Sequence, residues 1–249
     1  MTPAAPSALN RATSRAPDES TVNFDLATAP LRELNAALHK LTAESNETFW
    51  KVANPAGLHA IAAGLNAPIT VEIDGPVGYY CAGMNKLARV IVNGTAGVGV
   101  AENMMSGFVH VKGDASQAAG ATGVGGTLVI DGNASARCGI SMKGIDILVK
   151  GSVGHMSAFM AQAGSLVVLG DAGEALGDSL YEAKLFVRGS VASLGADCIE
   201  KEMREEHKAL LAEKLAAAGI LGEVDIGEFR RYGSARTLYH FHVDNVSSY

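Results

Sequence analysis

Apolar and polar residues alternate in short phrases along this chain, and the phrases recur every 19 residues. Such alternation is typical of β-strands, and a fixed period with one such strand per repeat is typical of a solenoid. Nineteen residues are too few to hold a helix as well. The pattern predicts an all-β fold, a right-handed single-stranded parallel β-helix of about seven coils with helical caps at both ends. Each phrase closes on a glycine, namely Gly75, Gly94, Gly113, Gly132, Gly151, Gly170 and Gly189.

Stacking the repeats gives columns of similar residues. The columns two and four residues before each glycine are aliphatic throughout, for example Val71 and Ile73, and strand alternation places both on one face. They are predicted to form the core. The columns three and seven residues after each glycine hold only small residues, such as Gly97 and Ala101, as a tight corner between coils requires.

The flanking segments predict four regions: a disordered tail over 1–19, an N-terminal helical cap over 20–65, the β-helix over 66–198, and a C-terminal helix with a docking tail over 199–249. The N-terminal cap is predicted to hold a helix opened by Pro30 and a second short helix from Pro55 to Ala63. Residues 198–218 read as an amphipathic helix that ends at Gly219, and a further strand is predicted around Thr237 to Val243. The apolar faces of the two longer helices are Leu31, Leu34, Leu38 and Leu41, then Ile199, Met203, Leu210, Leu211 and Leu215.

One apolar column points away from the core, three residues before the glycines, and comprises Val129, Leu148, Val167 and Phe186. An exposed apolar stripe marks contact with something else, either the chain's own terminal segments or another subunit. These four residues, together with His240 and His242, are the candidate interface. In the neighbouring column Lys112, Asp131 and Lys150 alternate in sign, which favours a solvated face.

Composition narrows the classes of function. The formal net charge is −6 and no basic cluster occurs, so neither nucleic acid nor a membrane surface is expected as a partner. No segment has the length and apolarity of a transmembrane helix or a secretory signal. The three cysteines are an odd number without framework spacing, which favours a reducing cytoplasm.

Candidate chemistry is sparse. Glycines such as Gly94, Gly97 and Gly99 resemble parts of a phosphate-binding loop, but each glycine-rich stretch leads into another coil instead of a helix. Cys81 and Cys138 share a column three coils apart and are predicted to be small buried hydrophobes. His240, His242 and Asp244 would share a strand face, which suits either a metal site or a polar docking face. No catalytic residue, cofactor site or metal site is assigned.

The phrases GPVGYYCAG, GTAGVGVAE and GSVGHMSAF each begin with G-x-x-G, and GPVGYYCAG also ends on a glycine. They are similar to the GXGXG repeat of the C-terminal β-helix domain of the glutamate synthase large subunit. The resemblance covers roughly residues 66–200. The flanks WKVANPAGLHAIAAGL and GSARTLYHFHVDNVSSY resemble the stand-alone version of this domain, which is the separate β-helix subunit of N-methylglutamate synthase, also called methylamine–glutamate N-methyltransferase.

The resemblance implies a structural role in a multi-subunit enzyme of methylamine metabolism. That enzyme forms N-methyl-L-glutamate and ammonia from methylamine and L-glutamate. The β-helix chain would bridge an amidotransferase-like subunit and a synthase-like subunit, and FMN and an iron–sulfur cluster are expected in the latter. An alternative with the same β-helix is the assembly subunit of a formylmethanofuran dehydrogenase-like or formyltransferase complex.

Overall fold

The computed structural model describes residues 21–236 and confirms a parallel β-helix. Its strands form a single sheet in the order β1-β2-β3-β4-β5-β6-β7-β8-β9-β11-β10. Two α-helices and a short 3-10 helix, Ile226–Glu228, complete the described part. The elements are β1 (Thr21–Asp25), α1 (Leu31–Leu38), β2 (Phe49–Ala53), β3 (Thr70–Asp74), β4 (Arg89–Val92), β5 (Phe108–Val111), β6 (Thr127–Ile130), β7 (Lys143–Val149), β8 (Ala163–Val168), β9 (Lys184–Val187), β10 (Cys198–Lys201), α2 (Glu205–Ala217) and β11 (Arg230–Ser234).

The strands from β3 to β9 follow the predicted period. Thr70 pairs with Arg89, and Arg89 pairs with Phe108, so each coil adds one strand in register with the last. The two inward columns are fully buried, as Val71 and Ile73 illustrate at 0% exposure. Layers of aliphatic side chains stacked in this way supply the hydrophobic stabilisation of the rod.

The small-residue columns are explained by the geometry of the corners. A methyl group on Gly97 would lie 2.6 Å from the carbonyl carbon of Gly78 in the coil beneath, so the backbones approach too closely for a side chain. In the column seven residues after the glycines, Ala82 and Ala101 adopt left-handed backbone angles, with φ of 53° and 56°. The glycine-rich stretches are therefore structural corners.

A polar ladder runs along one corner of the rod, and the sequence reasoning missed it. From Asp114 to Ser190, the side chain of the residue directly after a closing glycine accepts a hydrogen bond from the backbone of its counterpart one coil later. Ser152 N–H donates to Asn133 Oδ1 at 2.9 Å, and Ser190 N–H donates to Asp171 Oδ1 at 2.7 Å. The hydrogen bond from the Ser190 backbone lowers the pKa of Asp171. The ladder satisfies corner amides that carry no strand partner.

The N-terminal region differs from its prediction. Strands β1 and β2 extend the sheet upstream of residue 66, and the predicted helix from Pro55 to Ala63 is wrong, because the backbone there turns repeatedly through left-handed angles at Ala56, Ala60 and Ala62. Helix α1 is confirmed. Its Leu34 and Leu38 are buried, and the side chain of Asn35 donates to Ala60 O at 2.9 Å, which fixes the helix on the adjoining coil.

The C-terminal helix also differs from its prediction. Residues 198–201 form strand β10, so α2 begins only at Glu205, and Ile199 is 44% exposed. The helix ends at Gly219 as predicted: Gly219 N–H donates to Ala216 O and Ile220 N–H donates to Leu215 O, each at 3.0 Å. These two bonds form a Schellman motif. The helix does not cap the end of the rod, where β11 and β10 continue the sheet, but covers one side of it.

Within residues 21–236 there is no helix with both the length and the apolar character that crossing a membrane demands. The strand predicted around Thr237 to Val243 lies outside the described residues.

Candidate docking surface

The outer face of the sheet is half covered by the chain itself. Val129, Leu148, Val167 and Phe186 are at most 2% exposed and form a second apolar cluster with Leu211 and Leu215 of α2, together with Ile220 and Phe229. The apolar stripe therefore contacts the chain's own C-terminal segment, which is the first of the two alternatives. The expectation that these four residues meet another subunit is corrected, because α2 already occupies them.

An ion pair fixes α2 at the border of this covered half. Lys214 Nζ lies 2.9 Å from Asp146 Oδ2, at the start of the paired part of β7. Burial alone would lower the pKa of Lys214, but the contacts with Glu213 and Asp146 outweigh it and raise the pKa above its usual value. The helix is therefore held by apolar contacts at its centre and by an ion pair at its flank.

Residues 21–236 leave the other half of the outer face open, and we call it the open patch: Leu87, Arg89, Ile91, Met105, Phe108 and Val124. Leu87, Met105 and Val124 lie at the corner that leads into successive strands and are 50%, 47% and 51% exposed. Arg89 and Phe108 are paired across β4 and β5. The open patch adjoins the covered half, since Phe108 also packs against the cluster beneath α2.

Arg89 stands out at the centre of the open patch. Its guanidinium carbon lies 4.2 Å from the centre of the Phe108 ring, a cation–π contact. Burial lowers the pKa of Arg89. Among residues 21–236 no carboxylate forms an ion pair with it. A half-buried cation without a counter-ion is costly, so this position favours an external carboxylate.

Lysines border the open patch at both ends of one column. Lys86, Met105, Val124 and Lys143 each stand eleven residues after a closing glycine, and both lysines are exposed. The column therefore places two apolar side chains between two cations. With coils about 4.8 Å apart, the lysine backbones are roughly 14 Å apart. This combination suits a partner surface that is apolar in the middle and acidic around it.

A charged cluster lies on the outer face beside the open patch. Asp131 carboxylate oxygens lie 3.0 Å from His110 Nε2, 2.8 Å from Lys150 Nζ and 3.9 Å from Lys112 Nζ. The opposite charges of Lys112, Asp131 and Lys150 pair along their column, for which a solvated face was predicted, and their side chains are 47%, 23% and 32% exposed. Desolvation lowers the pKa of His110, and the two lysines add to that effect, while Asp131 opposes it. The carboxylate of Asp131 therefore has its counter-ions within the cluster, in contrast to Arg89.

The other residues considered for chemistry are separate from this surface. Cys81 and Cys138 are fully buried, as predicted, and burial raises the pKa of each thiol to about 12. Over residues 21–236 no group of three histidine, cysteine or acidic side chains could hold a metal ion. His240 and His242 lie outside the described residues, so the interface and metal hypotheses for them stay predictions.

Sequence reasoning missed the open patch. A signal was present, because Met105 and Val124 lie in the loops that precede β5 and β6, where large apolar residues are unexpected. The prediction of an interface instead followed the strand columns, because apolar and polar residues alternate regularly there.

Comparison with known proteins identifies a close relative. Protein GlxC of Rhizobium meliloti (strain 1021) is 65% identical over 226 residues, which cover 91% of this chain and 99% of that protein. No protein-family model matches the sequence, and no solved structure matches it. The match spans nearly all of both chains. This chain therefore belongs to the family of protein GlxC.

Proposed function

We propose that this chain is a subunit related to the β-helix domain of glutamate synthase and, more specifically, the non-catalytic structural subunit of N-methylglutamate synthase. In this role it bridges the amidotransferase-like and the FMN/iron–sulfur synthase-like subunits. The complex forms N-methyl-L-glutamate and ammonia from methylamine and L-glutamate, and the catalytic residues belong to the partner subunits. Such a complex is cytoplasmic.

The fold supports the relation to the β-helix domain of glutamate synthase. The phrase GPVGYYCAG lies at a corner between coils, where Gly78 contacts the next coil directly, so the glycines that carry the resemblance are the ones that the β-helix needs. The flanking segments support the assignment to N-methylglutamate synthase. WKVANPAGLHAIAAGL runs from Trp50 in β2 through the coil that follows, and so forms part of the same rod.

The open patch is the observation that carries the structural role. Monomeric proteins rarely leave a contiguous apolar surface of this kind exposed, and here it surrounds an arginine that has no carboxylate partner among residues 21–236. It lies on a sheet in which every described strand is hydrogen bonded to its neighbours. Seven coils make a rod of roughly 34 Å, long enough to contact two separate subunits and to hold them at a fixed distance.

The cofactors of the proposed complex belong to the synthase-like partner. The thiols of Cys81 and Cys138 lie inside the rod and burial raises the pKa of each to about 12. These two cysteines are also three coils, or roughly 14 Å, apart, which is too far for them to bind the same iron–sulfur cluster. Cys198 is similar, with a pKa raised to about 11 by burial.

Co-purification tests this proposal. An affinity tag on this chain in its native cell should recover an amidotransferase-like and a synthase-like chain, with flavin absorbance in the complex and methylamine-dependent formation of N-methylglutamate. The same chain purified alone should carry neither flavin nor activity. Recovery of molybdenum or tungsten enzyme subunits would replace the proposal with the formylmethanofuran dehydrogenase-like alternative, and activity of the isolated chain would refute the structural role.

A further inference from the structure

We propose that the open patch receives an amphipathic helix from a partner subunit, and that a carboxylate on this helix pairs with Arg89. This inference rests on the proposed function to the extent that the partner belongs to the same complex. Beyond the proposed function, the inference specifies which face of the rod binds the partner, that a helix covers this face, and that the helix is acidic.

The covered half of the same face shows how a helix is accommodated. Helix α2 lies on the outer face with Leu211 and Leu215, four residues apart, against the sheet, and Lys214 reaches Asp146 from its flank. Side chains at this spacing share one side of a helix. The outer face of this β-helix therefore binds an amphipathic helix through apolar contacts and one ion pair.

Arg89 occupies the position in the open half that Asp146 occupies in the covered half. The two residues stand in the same column of the repeat, 57 residues and three coils apart. Asp146 pairs with a lysine of α2, whereas Arg89 rests on Phe108 and has no carboxylate partner among residues 21–236. Because the sign is reversed, the helix that covers Arg89 must present an acidic side chain where α2 presents Lys214.

The column of Lys86, Met105, Val124 and Lys143 gives the direction and the approximate length of the contact with the partner helix. Met105 and Val124 lie between Lys86 and Lys143, whose backbones are roughly 14 Å apart. A helix rises about 1.5 Å per residue, so roughly ten residues span that distance. A helix that runs along the corner would place apolar side chains on Met105 and Val124, and acidic side chains near the lysines at its two ends.

A second copy of this chain fits the open patch poorly. A two-fold dimer would bring the same surface of both copies together. Within this surface and along its corner edge the charged side chains are Lys86, Arg89 and Lys143, all of one sign. The carboxylates at its other edges already have partners, since Glu72 accepts a hydrogen bond from Asn93 and Asp131 pairs with Lys150. Two such surfaces would repel each other, whereas an acidic helix is attracted by all three cations.

Site-specific crosslinking in the intact complex tests the inference. A photoreactive benzoylphenylalanine would replace Met105 in one preparation and Met160 in a matched control. Met160 is 40% exposed, against 47% for Met105, but lies in the coil beyond Lys143, outside the open patch. After irradiation of the purified complex, mass spectrometry should find the Met105 probe attached to a helical segment of a partner that contains Asp or Glu. The Met160 probe should not reach that segment.

Charge reversal supplies the second arm of the test. Arg89→Glu should weaken binding of this partner at least about 30-fold, as expected when a half-buried charge pair becomes a repulsion. Arg137→Glu, the same change at an exposed position, should leave binding unchanged. Replacing the crosslinked carboxylate of the partner by arginine should restore binding to the Arg89→Glu variant.

Several outcomes would overturn the inference. They are a Met105 crosslink to residues 1–20 or 237–249 of the same chain, a crosslink to a second copy, no crosslink at all, or full affinity of the Arg89→Glu variant. In those cases a complex that still forms would leave the proposed function in place. If the unmodified chain instead purifies without the amidotransferase-like and synthase-like chains, the proposed function itself fails.

Discussion

Arg89 and Asp146 occupy equivalent positions three coils apart on the outer face of one sheet, but only Asp146 has an ion-pair partner among the described residues, Lys214 of α2. The difference divides the face into a half that is closed by the chain itself and a half that remains open. It also gives the open half a chemical preference, because an unpaired guanidinium on an aromatic ring favours a carboxylate.

The packing of α2 on the sheet predicts a large effect of shortening Phe186. This ring is fully buried between the sheet and the C-terminal segment. Phe186→Ala should lower the free energy of unfolding by about 3–5 kcal/mol, because it removes a buried ring and leaves a cavity. Urea denaturation followed by circular dichroism measures the change. Val124→Ala, at a side chain that is 51% exposed, is the control and should change stability by less than about 0.5 kcal/mol.

The close approach of successive coils predicts that glycine is required at Gly97. A methyl group there would lie 2.6 Å from a backbone carbon of the neighbouring coil, so Gly97→Ala should destabilise the chain by about 1–3 kcal/mol. Gly233→Ala is the matched control, because its methyl group would meet nothing closer than 3.4 Å. Equal thermal stability of the two variants would show that the coils can separate slightly without cost.

The fold was predictable from the sequence wherever the repeat is strict. Seven strands share one period, and burial follows the predicted columns because alternation on a strand fixes which side chains face inward. Prediction failed where the period slips. Phe49 pairs with Thr70, a spacing of 21 residues, so the upstream coil lacks the repeat's period, and its alanines and leucines imitate a helix.

The candidate surface was less predictable than the fold. The stripe from Val129 to Phe186 is apolar, as its sequence indicates, but nothing local shows that α2 folds back on it. Residues 198–201 directly precede the charged segment of α2 and were predicted to be helical with it, yet pairing with β11 makes them a strand. In the sequence, Arg89 resembles any other strand residue. Only the structure shows that none of the described carboxylates forms an ion pair with it.

The ion pair at the flank of α2 predicts a measurable coupling between Lys214 and Asp146. Both side chains are largely buried, at 15% and 24% exposure, so a double-mutant cycle with Lys214→Ala and Asp146→Ala should give a coupling of about 1 kcal/mol. The exposed pair of Glu205 and Lys208 on the same helix provides the control cycle and should give at most about 0.5 kcal/mol. A coupling near zero for the first pair would mean that apolar contacts alone hold α2.

The start of α2 predicts a dependence of stability on pH. His207 Nδ1 accepts a hydrogen bond from the Arg204 backbone N–H at 3.2 Å, which requires the neutral ring. The pKa of His207 is lowered, mainly by burial and secondly by the positive charge of Arg231. A histidine whose folded pKa is lowered binds protons more readily when unfolded. Stability should therefore fall as the pH drops below about 6.5 and through the lower folded value.

Replacing the ring tests this dependence. His207→Gln keeps an acceptor for the Arg204 N–H but cannot be protonated, so its melting temperature should fall less than that of the unchanged protein between pH 7.5 and pH 5. His155→Gln, at an exposed histidine, is the control. If both variants lose as much stability on acidification as the unchanged chain, His207 does not cause the effect.

Reconstitution of N-methylglutamate formation tests the central claim most directly. The amidotransferase-like and synthase-like subunits would be purified from cells that lack this chain, and formation of N-methyl-L-glutamate from methylamine and L-glutamate would be measured with and without it. The proposed structural role predicts little product from the two subunits alone, full activity when this chain is added, and none from this chain by itself. Full activity in its absence, or product formed by this chain alone, would contradict that role.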